Sequence, residues 1–152
     1  MTTPENDFYL KVAHALSGCQ LVEEHLKLYI TEALELVKKC VGDKIAFKMI
    51  GEDYADSSLE RLIEIFKKLS DNETLVTELR QFKDERNFLS HKGITHCLDY
   101  DDELDYGAMS EFQNRLAAIP LEAQRLRLAL HDEANKFRGH LWFGFDNDSN
   151  EG

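Results

Sequence analysis

The chain reads as an all-α protein, an antiparallel helical bundle of four to five helices. Three observations predict this. Apolar residues recur at steps of three and four over long stretches, the spacing of one helix face. Eight Gly and two Pro among 152 residues are too few for the many turns of a β-sandwich or barrel. Capping residues precede the periodic runs. By size this is one domain, predicted over 1–145. An acidic tail follows at 146–152, carrying Asp146, Asp148 and Glu151, and is expected to be disordered.

The first helix is predicted from about Thr3 to Val41. Thr3 is a good N-cap, Pro4 suits the first helical position and Glu5 the positive end of the dipole. Phe8, Val12, Ala15, Cys19, Val22, Leu26, Tyr29, Ala33, Val37 and Val41 mark its apolar face. Leu16, Ile30 and Leu34 widen that stripe, so the helix is expected to bury two sides. Gly18 is a weak point inside it, and Gly42 a C′ stop. Residues 43–56 read as a loop or a single helical turn. Ser57 with Glu60 makes a capping box for a second helix, faced by Leu59, Leu62, Ile63, Phe66 and Leu69. Ser70 with Glu73 makes a box for a third, with Leu75, Leu79, Phe82 and Leu89 in register and a stop near Gly93. The polar, acidic stretch 94–107 reads as a surface loop. A fourth helix is expected from about Asp105 or Ala108 to Phe137, on a stripe of Met109, Phe112, Leu116, Ile119, Leu126 and Leu130. Pro120 should bend or split it. The segment Leu141-Trp142-Phe143-Gly144-Phe145 is expected to dock on the bundle as a core plug.

Charge and composition exclude several classes. The net charge is −11, from 18 basic and 29 acidic residues, so a passive, non-specific coat on nucleic acid is a poor reading. Acidic residues cluster at Asp99, Asp101, Asp102, Glu103 and Asp105, whereas 80–96 holds four basic and two acidic residues with two histidines. Local potential there differs from the average. No window reaches the ~18 apolar residues of a membrane span, and the N-terminus lacks the basic and apolar regions of a signal peptide. Cys19, Cys40 and Cys97 form no CxxC pair, so free thiols in a reducing, cytoplasmic setting are expected.

The third helix carries a misplaced charge. On a helical wheel Leu79, Leu75, Phe82 and Leu89 fall within roughly 60° of Arg86, so Arg86 sits in the apolar stripe, where a charge is costly unless paired. Ser90, Lys83, Asn87 and His91 follow on one flank, all within an arc of roughly 140°. Arg86 and His91 are about 7.5 Å apart along the axis, near enough for long side chains to converge on one phosphate. Arg86 offers a bidentate fork, Asn87 an amide donor and His91 a titratable nitrogen, in a last turn that favours its protonated form. A plainer reading stands beside it: Arg86 as a structural arginine paired with Glu23 or Glu24, and His91 as a C-terminal capping histidine.

The run Asp84-Glu85-Arg86-Asn87-Phe88-Leu89-Ser90-His91-Lys92-Gly93 resembles the active-site motif of HEPN-superfamily ribonucleases. That motif is an Arg, four to six residues and a His, on a helix of a small helical bundle, with a polar residue often following the Arg. Asn87 fits that place. Chance alone supplies about one such spacing in a chain of this composition. A second match, Arg125 to His131, is followed by Leu126 and has no polar cluster. Some family members are silenced by modification of a tyrosine two residues after the histidine; Gly93 stands there, against such control.

The resemblance implies metal-independent RNA cleavage by attack of the 2′-hydroxyl, leaving a 2′,3′-cyclic phosphate and a 5′-hydroxyl, without cofactor or metal. Such cleavage needs a base, an acid and positive charge on the phosphorane. One His91 per chain fills one proton-transfer role, so a homodimer with a composite site is implied. His91, Arg86 and Asn87 would be catalytic, with Lys83, Ser90 and Lys92 holding the RNA. The setting implied is a toxin or phage-defence effector with an antitoxin or regulatory partner. The alternative is a non-catalytic helical dimer acting as an interaction or regulatory module. Other constellations are weaker. His91, His96 and Cys97 with Asp99 and Asp101 match no standard metal spacing, and His14 and His25 read as surface or packing residues.

Overall fold

A computed structural model describes residues 3–90 and 106–143. Every regular element among them is helical: α1 (Pro4–Val41), a 3₁₀ turn (Gly51–Tyr54), α2 (Leu59–Leu69), α3 (Glu73–Phe88) and α4 (Tyr106–Phe143). None of these helices is long and apolar enough to cross a membrane.

The predicted bounds of α1 hold. The Thr3 side chain accepts from Asn6 N at 3.2 Å, and Gly42 closes the helix at φ 58°, its N–H bonding to Lys38 O. That positive φ is a conformation glycine adopts without strain. Two caps lie later than expected. Ser58, not Ser57, caps α2, accepting from Arg61 N, because the helix begins at Leu59. Asn72, not Ser70, caps α3, accepting from Leu75 N at 3.0 Å. Ser70 Oγ is engaged elsewhere: it accepts from Asn72 N and donates to Glu133 Oε2. Beyond Phe88 the helix widens into a π-type turn at 89–90. The expected stop near Gly93, the 94–105 part of the acidic loop and the 146–152 tail lie outside the described residues.

The register of the helices follows from their contacts. α3 runs antiparallel to α4, since Asn72 meets Glu133, Glu78 meets Arg125 and Glu85 meets Arg115. α2 and α3 form a hairpin tied by Arg80 to Glu64 at 2.9 Å. The expectation of an antiparallel bundle fails for the largest interface. α1 and α4 are parallel: Phe8 packs on Phe112, Gly18 faces Ala123, and Glu32 binds Arg138. The cause is the segment 42–58, which returns beside α1, its Gly51 against Thr31, so that α2, α3 and α4 alternate from a displaced start.

The core fills from all four helices, with Phe8, Leu26, Ile30, Leu62, Phe66, Leu79, Leu116, Leu126 and Leu130 fully buried. α1 buries two sides as expected, Ile30 and Leu34 joining the main stripe. Gly18 has a use: a Cβ there would lie 3.1 Å from Ala123 Cβ, so its absence lets α4 seat closely. α4 is not split at Pro120, which lies inside one continuous helix. Packing along α1 outweighs the ~3 kcal/mol a proline costs in a helix interior. α4 also runs past Phe137 to Phe143. Consecutive helical residues turn by about 100°, so of the described residues 141–143 only Leu141 reaches the core; Trp142 and Phe143 are 63% and 76% exposed rather than docked, and Gly144 and Phe145 lie outside the described residues.

Candidate functional site

The C-terminal half of α3 gathers the sequence-predicted residues that can be located. Leu75, Leu79, Phe82 and Leu89 are buried on one face, which orients Arg86 toward α1. There its Nη2 lies 3.7 Å from Glu23 Oε1, with the two side chains 35% and 18% exposed. This is an ion pair without hydrogen-bond geometry, so the fork of the guanidinium is not closed on the carboxylate. The pairing with Glu23 is the structural partner that the wheel demanded. The thiol of Cys19, one turn before Glu23, reports on the same spot. It is raised to about 11: burial is the largest cause and Glu23 adds to it, while Arg86 and a backbone hydrogen bond oppose the rise.

Around Arg86 the predicted companions differ in use. Asn87 and Ser90 are exposed. Lys83 is largely covered and lies 3.8 Å from Asp84 Oδ1. His91 and Lys92 lie outside the described residues, as do the weaker metal candidates His96, Cys97, Asp99 and Asp101. The described part of the site therefore places Lys83, Arg86 and Asn87 near the negative end of a helix dipole, where cations are favoured.

One cation beside this site was not anticipated. Arg115 of α4 grips Glu85 through two hydrogen bonds, of 3.0 and 2.6 Å, and stacks over the Phe88 ring at 3.7 Å. No pattern in the sequence marks it, because the contact depends on α3 and α4 being antiparallel. The second Arg-to-His spacing is structural: Arg125 binds Glu78 and Glu122, while His131 Nδ1 lies 2.9 Å from Arg138 Nη1.

The most spacious groove described, about 650 Å³, runs between α3 and α4 along Phe82, Ile119 and Leu121. Its rim carries Glu78, Glu85 and Glu122 with Arg115 and Arg125. Of the predicted site residues that are described, Lys83, Arg86, Asn87 and Ser90, none lines it. Comparisons with protein-family models, with curated proteins and with solved structures each gave no match.

Proposed function

We propose that the chain is a metal-independent RNA endonuclease acting through Arg86 and His91. The observation that carries this reading is the state of Arg86. A guanidinium in an apolar stripe, held among the described residues by one long contact and still one-third exposed, keeps donors to spend on a phosphate. In the reaction the 2′-oxygen attacks phosphorus and the bond from phosphorus to the 5′-oxygen breaks. The 2′-hydroxyl proton goes to a base, and the departing oxygen takes a proton from an acid. His91 from each of two chains fills these roles in a homodimer, Arg86 stabilises the phosphorane, and Asn87 orients it. Lys83, Ser90 and Lys92 hold the backbone. A protein of this activity and net charge fits a toxin or defence effector under a partner's control.

The test is incubation of tRNA and total RNA with pure protein in EDTA, beside Arg86→Ala/His91→Ala. Fragments ending in cyclic phosphate, lost in the variant, support the reading; cleavage unchanged in the variant ends it. A second reading is favoured by the Glu23 contact and by the open apolar groove of α3 and α4. In it Arg86 is purely structural and the chain is a non-catalytic dimeric module. That reading predicts no cleavage by either protein and dimerisation that survives the double substitution.

A further inference from the structure

A smaller cavity, about 290 Å³, opens between α1 and α4 and is lined by His25, Gln124, Arg127, Leu128 and His131. His25 lies two residues from Glu23, roughly 200° around α1, so this cavity faces away from the Arg86 pair. Its chemistry is unlike its surroundings. In a chain of net charge −11, the three larger cavities described are each lined by two or more acidic residues. This one is lined by none.

One donor of a lining residue is unpaired. Arg127 Nε is buried with no hydrogen-bond partner among the described residues. A buried orphan donor costs free energy, and on a guanidinium the penalty is larger still. The two histidines are set by their neighbours. His25 Nδ1 lies 2.9 Å from Leu21 O, which can only accept, so Nδ1 carries the proton and Nε2 is left for a ligand. His131 Nδ1 lies 2.9 Å from Arg138 Nη1, which can only donate, so Nδ1 accepts and the hydrogen resides on Nε2. Gln124, Arg127 and His131 recur at i, i+3 and i+7, one face of α4.

We propose that this cavity is an oxyanion site for a phosphate group. Arg127 supplies the charge, the His131 Nε2–H and the Gln124 amide supply neutral donors, and His25 Nε2 accepts from a phosphate hydroxyl. Protonated, His25 becomes a further donor. The proposal is independent of RNA cleavage, and its readout is binding.

The experiment follows the imidazole resonances of the full chain during titration with inorganic phosphate, against sodium chloride at matched ionic strength. The expected result is saturable shifts of His25 and His131, with Kd on the order of 1 mM, and none at exposed His14. Arg127→Gln should weaken binding at least about tenfold. Gln124→Glu, at an exposed position that leaves packing intact, should abolish it by placing a carboxylate on the rim. Backbone amide spectra of both variants establish that they are folded. A nucleoside monophosphate that binds more tightly than inorganic phosphate assigns the site to a nucleotide; equal or weaker binding assigns it to the free ion. Absent shifts, or shifts with an unchanged Kd in either variant, overturn the proposal.

Discussion

Two arginines reach α1 from different helices, and their pairings differ in kind. Arg138 of α4 closes both ends of its fork on Glu32, at 2.8 and 2.9 Å, and both residues are 8% exposed. Its remaining Nη1 is spent on Asn135 and His131. Arg86 of α3 meets Glu23 once, at 3.7 Å. A closed, desolvated pair holds two helices in register, and removing one partner strands the other. An open pair excuses the presence of a charge near the core without consuming its donors. The difference teaches where to look for chemistry: an arginine that the fold only tolerates is freer to act than one that the fold needs.

Arg138→Met should give the largest effect, about 3–5 kcal/mol in urea unfolding, because Glu32 is left buried and unpaired. Arg138→Met/Glu32→Leu should recover most of it; a single variant costing under about 1 kcal/mol breaks the comparison. Arg86→Gln should do the reverse, changing stability by no more than about 1 kcal/mol while lowering RNA cleavage on the order of 10²–10³-fold. Equal losses of stability and activity would place Arg86 among the structural arginines. The Cys19 thiol sharpens the point. A rise from 9.0 to about 11 leaves it a poor nucleophile. At pH 8, peptide mapping after alkylation should find exposed Cys40 modified and Cys19 intact, with Cys19 slower still in Arg86→Gln, which removes the cation that favours the thiolate.

The smallest effect belongs to Glu133, which joins the α2–α3 corner to α4 through Ser70, Asn72 and Lys136. Burial alone would raise its carboxyl, but the hydrogen bonds from Lys136, Asn72 and Ser70 together outweigh burial and lower it. A carboxylate lowered by folding stabilises above the ordinary glutamate range, and that contribution is lost as pH falls through the folded value. Wild-type stability should therefore fall more steeply below about pH 4.3 than that of Glu133→Gln. Identical slopes in the two proteins would show the network to be energetically idle.

The helical class and the whole of α1 were legible because they rest on local rules: Thr3, Pro4 and Gly42 act within a few residues of themselves. The caps of α2 and α3 were each misplaced because adjacent polar residues compete; at α3 a tertiary partner decides, since Glu133 takes Ser70 and Asn72 caps. Pro120 and Gly18 looked like defects and are neighbours across one interface, a relation no local pattern carries. At the candidate site, the position of Arg86 in the apolar stripe was readable from periodicity, and Glu23 was among its expected partners. Arg115, the Arg138 network and the cavity around Arg127 were not readable, since each depends on which helices lie side by side and in which direction.

That direction has a consequence for how the chain comes into being. α1 and α4 lie side by side and point the same way, so the start of one and the end of the other stand at opposite poles, about 55 Å apart for helices of this length. A linker joining those poles would need roughly 16 extended residues. More telling is the order of synthesis: Glu32 waits for a partner 106 positions later. Until the last helix is made, the face of α1 that meets Phe112, Ala123 and Arg138 is without its partner, while Tyr29 can already pack on Phe66 of α2.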